Sequence, residues 1–175
     1  MACTLTSGRA LPCKSSVGGL KAVYFADYGT LGAATISSGE VTAIAGTPTI
    51  FEYDIKGNSS LETTINSSRE NGTTFYTQTL NLTLPVLDKS TQEEIKLLAS
   101  ARPHIFVEDL NGNFLVLGLF HGAEVTGGTV VSGAAMGDLS GFTLTFEAQE
   151  TSPPLFVTST VVTDNASATK IDPNA

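Results

Sequence analysis

Apolar and polar residues alternate with a period of two along most of this chain, the pattern of strands that bury one face. Leu20 to Tyr28 predicts the first strand, carrying Leu20, Ala22, Phe25 and two tyrosines, and a Gly/Ala/Ser-rich stretch follows to Gly39. Val41, Ala43 and Ala45 then alternate with Thr42, Ile44 and Gly46, and Thr49 to Ile55 alternates around Ile50, Glu52 and Asp54; each run predicts a strand. Residues 57–74 are the most polar internal segment, expected as two arms of a hairpin or an exposed loop. Within them Asn71-Gly72 predicts a two-residue turn, since both positions tolerate positive φ. Thr74 to Val86 is the longest alternating run. It sets Tyr76, Leu80, Leu82, Leu84 and Val86 on one face and Thr77, Thr79, Asn81 and Thr83 on the other, over a span of about 40 Å.

One segment changes period. Ser90-Thr91-Gln92-Glu93 has the spacing of a capping box, Ile95, Leu98 and Arg102 share a stripe with Leu97 and Ala101 beside it, and Pro103 ends the run. This predicts one amphipathic helix of about 12 residues, whose apolar face must lie on a sheet. Strands resume at His104 to Leu110, turn at Asn111-Gly112, and continue through Asn113 to Phe120, where residues 114–120 are apolar on both faces as in a strand buried on each side. Val125 to Gly141 predicts a strand and a long loop; Phe142, Leu144 and Phe146 alternate with Thr143, Thr145 and Glu147 in a further strand. Pro153-Pro154 breaks the pattern before a last β-prone run, Phe156 to Val162. The sum is a mainly β chain, an antiparallel β-sandwich or barrel with one flanking α-helix. Its parts are an arm at 1–19, a sandwich at 20–150 with the helix near 90–102, and a C-terminal extension at 151–175.

Composition sharpens this. Thr and Ser supply 40 of the 175 residues and charged residues only 15%, so the polar surface is built from hydroxyls, which suit a pleated sheet. No run approaches 18 apolar residues, so no membrane span is expected, and Met1 to Lys21 lacks the apolar core of a secretion signal. Cys3 and Cys13 are read as reduced thiols. The net charge of −8 argues against a protein that grips nucleic acid by neutralising phosphates. That charge is uneven: residues 1–26 hold Arg9, Lys14 and Lys21 and no acid, whereas residues 103–169 hold seven acids and no Lys or Arg. The asymmetry has two readings: chance in a charge-poor chain, or a head-to-tail polymer in which a basic arm meets an acidic face of the next copy.

Catalytic patterns are missing from the sequence. His104 and His121 sit in no nucleophile context and are read as structural, and Gly137-Asp138-Leu139-Ser140-Gly141 has the wrong spacing for a nucleophile elbow. Asp109-Leu110-Asn111-Gly112-Asn113 opens like a calcium loop, but Phe114 and Phe120 stand where glycine and glutamate are needed, so a hairpin turn explains it better. Glu93-Glu94 and Glu108-Asp109 are read as solvated faces. No catalytic residue, metal site or cofactor is expected.

Three stretches, MACTLTSGRALPCKSSVGGLKAVYF, ENGTTFYTQTLNLTLPVLDKSTQEEIKLLA and GAEVTGGTVVSGAAMGDLSGFTLTFEAQE, in this order resemble small virion proteins of tailed bacteriophages, of the tail tube (major tail) type. The resemblance implies a β-sandwich with one flanking helix, non-enzymatic and cofactor-free, that forms hexameric rings stacked into a tube in the virion tail after assembly in the host cytoplasm. Its implied partners are copies of itself, other phage tail proteins, and genomic DNA that passes without specific binding. An acidic wall fits that passage, because duplex DNA presents one negative charge per about 1.7 Å and a basic wall would hold it. The resemblance also implies an arm or loop that reaches the neighbouring ring, matched here to the N-terminal arm and residues 57–74. On that match Arg9 and Lys14 meet acids of an adjacent subunit, and Asn58, Glu62, Arg69, Glu70 and Asn71 contact the next ring. Two alternatives stand beside it: another virion role (capsid decoration or head–tail connector), and a carbohydrate-binding adhesion sandwich. Against the latter, a chain without Trp and with four Tyr has few platforms for sugar stacking.

Overall fold

The computed structural model describes residues 7–55, 58–167 and 169–172; Cys3, Lys56 and Gly57 lie outside them. Along the chain run β1 (Leu20–Ala26), β2 (Ala34–Ser37), β3 (Glu40–Ile44), β4 (Ile50–Asp54), β5 (Ser60–Ser68), β6 (Thr73–Pro85), α1 (Lys89–Ser100), β7 (His104–Asp109), β8 (Phe114–Leu117), β9 (Glu124–Val131), β10 (Gly141–Glu150), β11 (Leu155–Val157) and α2 (Ser159–Thr163). The strands form a seven-stranded sheet, β2-β3-β11-β8-β7-β1-β4, and a four-stranded sheet, β5-β6-β10-β9. Every pairing is antiparallel except β3 with β11. The molecule is thus the mainly β sandwich with a flanking helix that the alternation predicts.

The two sheets meet through their alternating apolar positions. Val23, Phe25, Ile105, Val107 and Leu117 of the larger sheet pack on Leu80, Leu82, Phe142, Leu144 and Phe146 of the smaller. In β6 the inward face is Gln78, Leu80, Leu82 and Leu84, as its period requires, but Val86 departs from it. Pro85 ends the strand, and Val86 turns out at φ 74°, a conformation that a β-branched residue adopts only under tertiary constraint. There its N–H donates to the Ser140 carbonyl at 2.7 Å.

The larger sheet is apolar on its other face as well. Tyr24, Ala26, Val41, Ile50, Phe106, Val116 and Val157 form a second core, covered by Val161 and Val162. The segment set apart in the sequence as a C-terminal extension therefore supplies both an interior strand and a covering layer. β11 lies between β3 and β8, and the expected strand over Phe156 to Val162 is cut after Val157. Its partner β8 is only four residues long, and the turn into α2 places Val161 and Val162 under cover.

Other departures have local causes. The helix cap is Asp88, not Ser90: its carboxylate accepts the Thr91 N–H at 2.7 Å, so the helix starts at Lys89 and ends at Ser100. No residue of α1 is fully buried; Ile95 and Leu98 touch the inter-sheet core while Leu97 stays 64% exposed. The run 114–120 is a strand only to Leu117. Gly118 turns at φ 66°, where a Cβ would stand 2.6 Å from the Gly122 carbonyl carbon, and Phe120 swings outward. β2 lies inside the Gly/Ala/Ser-rich stretch. It pairs with β3 through Ser38-Gly39, both at positive φ, the requirement of a two-residue hairpin turn. A bulge at Thr42, the extra residue between Val41 and Ala43, breaks the expected alternation in β3.

The second core predicts a measurable dependence. Phe106→Ala removes a fully buried ring that packs beneath the C-terminal layer. It should lower the unfolding free energy by about 3–5 kcal/mol in a urea titration. A loss under about 1 kcal/mol would mean that the layer over this face carries little of the fold's stability.

Candidate assembly surfaces

Polar groups inside the fold serve the backbone. Gln78, buried in β6, accepts the Gly118 N–H at 3.0 Å and donates to the Ser152 carbonyl at 3.2 Å. His104, at the start of β7, has Nδ1 2.7 Å from the Gly118 carbonyl and Nε2 accepting the Gly29 N–H at 3.4 Å, which fixes the proton on Nδ1. Tyr28 stacks on its ring at 5.1 Å. The Glu150 carboxylate, 2% exposed, accepts the N–H groups of Phe120 and His121 at 2.9 and 2.8 Å and sits 2.9 Å from His121 Nδ1. These side chains hold the tight 118–122 turn. Among the described residues no buried side-chain nitrogen or oxygen lacks a hydrogen-bond partner.

The acids read as solvated faces divide. Glu93 and Glu94 are exposed on α1. Glu108 is buried: Lys21 Nζ lies 2.6 Å from one oxygen, and the Tyr24 hydroxyl donates to the other at 3.2 Å. Burial, with Glu52 and Glu108 close by, pushes the Tyr24 hydroxyl well above the ordinary tyrosine range. Asp109 organises the hairpin turn, accepting the N–H groups of Asn111 and Asn113 at 2.8 Å each.

The expected interface residues fall in separate places. Arg9 and Lys14 lie on an arm whose described residues, Ser7 to Gly19, are all exposed. The arm's side-chain tie to the body is at Val17, whose N–H and carbonyl pair with the Asn111 amide at 2.9 and 2.8 Å. Leu11 is 98% exposed. Residues 58–74 are a hairpin rather than a loop, with Ser68 opposite Thr73, so the turn is the four residues Arg69–Gly72 and only Gly72 takes positive φ. Arg69, Glu70 and Asn71 come together at this tip. Asn58 sits at the other end, its carbonyl accepting the Thr83 hydroxyl at 3.0 Å, and Glu62 lies mid-strand opposite Thr79. The hairpin overshoots β10 by three residues of β6, leaving Phe75 39% exposed, and Ile65 on the edge strand β5, opposite Tyr76, is 66% exposed.

The outer face of the smaller sheet is a field of hydroxyls and acids. Thr77, Thr79, Asn81 and Thr83 of β6 alternate outward beside Thr143, Thr145, Glu147 and Gln149 of β10. One row across it reads Glu62, Thr79, Glu147, Glu124. Glu147 directly opposes Glu124, a like-charge pairing that costs stability, relieved by Arg102 at 3.6 Å from Glu124.

On the flank where α1 leaves the sandwich half closed, a groove of about 670 Å³ opens between the helix, the edge strand β4 and the tail at Thr169–Ile171. Phe25, Phe51, Tyr53, Leu84, Leu97 and Leu98 make it apolar. Asp27, Glu52, Asp54 and Glu94 give it acids, against one cation, Lys170, which pairs with Glu52 at 3.1 Å and Asp54 at 2.9 Å. Burial, with Glu94 nearby, pushes the Tyr53 hydroxyl up to about 12. Nothing in the sequence pattern marks this groove, because its walls are far apart along the chain.

No protein-family model matches the chain, and comparison with curated proteins and with solved structures finds no similar protein. No helix among the described residues is long and apolar enough to cross a membrane.

The 118–122 turn carries a pH signature. Burial holds the His104 pKa below its ordinary value, against the opposing pull of the Gly118 carbonyl and Glu150, so the folded state keeps the ring neutral. A histidine depressed by folding contributes its full share above the ordinary pKa of about 6.5 and loses it as pH falls from there toward the folded value. The denaturation midpoint should therefore drop between pH 7 and pH 5.5, and less steeply in His104→Gln. Parallel slopes for the two chains would show that His104 is not the group responsible.

Proposed function

We propose that this chain is a structural subunit that polymerises with copies of itself, and that the polymer is the tail tube of a tailed bacteriophage: stacked six-membered rings around an acidic channel. The observation that carries the reading is the N-terminal arm. Its described residues, Ser7 to Gly19, are all exposed and carry two cations, Arg9 and Lys14, and no acid, with Leu11 98% in solvent, so the segment is open to a second surface. The chain offers acidic surface in excess, at a net −8.

The remaining features fit the same role. The hairpin tip with Arg69, Glu70 and Asn71 projects past the sheet, as a contact to a stacked neighbour requires. The outer face of the smaller sheet suits a channel wall, because its hydroxyls hydrate well and its charges at Glu62, Glu147 and Glu124 repel phosphate. Retaining Glu147 opposite Glu124 at a cost in stability is consistent with selection for negative potential there. Six copies carry six times the chain's −8. The tail tube part of the proposal comes from the sequence resemblance; the exposed basic arm and the projecting hairpin tip support the polymerisation part.

Negative-stain microscopy of the purified full chain tests the proposal, with rings or tubes as the expected result. Arg9→Glu combined with Lys14→Glu should abolish or shorten the assemblies while the thermal unfolding midpoint moves little, since neither residue touches the sandwich. A wild-type chain that stays monomeric and binds glycans would overturn the reading in favour of an adhesion module.

A further inference from the structure

Resting on the self-assembly reading, we infer that the groove between α1 and β4 is the receptor for the N-terminal arm of a second copy, with Leu11 seated on the apolar floor and Arg9 and Lys14 on the acids at its ends. Three features of the arm match three of the groove. First, the charges are opposite: the arm has two cations and no acid, the groove four acids and one cation. Asp27 and Glu94 have no ion-pair partner among the described residues.

Second, the lengths agree. Arg9 and Lys14 are five residues apart, about 17 Å in an extended chain. Asp27 follows Ala26 at the end of β1, while Asp54 pairs with Ala22, so the two acids also stand five residues apart along the strand, again about 17 Å. Third, the sequence favours an extended arm up to Cys13, the bend at Lys14, where the Ser15 N–H donates to the Cys13 carbonyl at 2.9 Å, lying at its far end. Pro12 holds the preceding Leu11 in extended backbone, which lowers the ordering entropy lost on docking.

The groove also lacks a cover of its own. Leu97 and Phe51 are exposed hydrophobic residues on its opposite walls, and Leu97 projects from a helix with no fully buried residue. A volume of about 670 Å³ accommodates a short stretch of extended chain. Lys170 bridges Glu52 and Asp54 across the strand edge, and Asp54 keeps its second oxygen for an incoming cation.

Cysteine cross-linking tests the docking with the full chain. One variant carries Cys3→Ser and keeps Cys13, the exposed arm thiol beside Lys14. The other, distinguishable by an affinity tag, carries Cys3→Ser, Cys13→Ser and Leu97→Cys. Mixed under a mild oxidant, the two should form a disulfide-linked pair at least about tenfold faster than when Met136→Cys replaces Leu97→Cys, because docking raises the local thiol concentration. Asp27→Asn with Glu94→Gln in the receiving chain should remove most of that advantage.

Rings or tubes with equal cross-linking at the two positions would overturn the groove and leave polymerisation standing. Linkage confined to one chain carrying both Cys13 and Leu97→Cys, unchanged by dilution, would overturn docking in trans. Monomers alone, with no preferred linkage, would overturn both this inference and the reading on which it rests.

Discussion

The seven-stranded sheet is apolar on both faces, and the rest of the molecule follows from having to cover it. β1 and β7 bury nearly every side chain, odd and even positions alike, so neither face tolerates water. The four-stranded sheet covers one face through Leu80, Leu82, Phe142 and Phe146. The chain beyond Pro153 covers the other, entering the sheet as β11 and crossing it as α2. Coverage is incomplete at the β4 flank, where α1 closes the gap halfway and a groove remains. In the proposed assembly, that shortfall is where the sandwich receives another copy.

Much of this architecture was legible in residue order, because strands that bury one face announce themselves by alternation. β6 and β10 were readable residue by residue on that basis. What escaped depended on partners. Nothing in Phe156 to Val162 shows that only three of those residues find strand neighbours, so a β-prone run became a short strand and a turn of helix. Ser38-Gly39 makes the two-residue turn that Asn71-Gly72 advertises, since the four-residue connection at 69–72 is set by the register of β5 on β6. The cap fell to Asp88, whose carboxylate is in place for the Thr91 N–H, where the Ser90/Glu93 spacing had pointed one turn edge further on.

The candidate surfaces were legible only in part. The charge asymmetry identifies Arg9 and Lys14 as a basic arm from the sequence alone, and the structure adds that the arm is exposed. Its inferred receptor was invisible, because Asp27, Asp54 and Glu94 come from three segments that only the fold brings together. Glu108 misled in the opposite sense: beside Asp109 it looks solvated, yet alternation turns it inward to meet Lys21 and Tyr24. The hairpin residues Arg69, Glu70 and Asn71 cluster as their spacing implies, while Asn58 and Glu62 are spread along the strand below them.

In the proposed docking, an exposed arm of opposite charge to its receptor makes association depend on both concentration and ionic strength, since exposed charges are screened beyond about 10 Å at 0.1 M salt. Sedimentation velocity of the purified chain across a wide concentration series, at low and at high salt, tests the central claim most directly. The account predicts growth from the single chain to a discrete multi-copy species and larger stacks, with the transition moving to higher concentration as salt is added. One single-chain species at every concentration and both salt levels would contradict it.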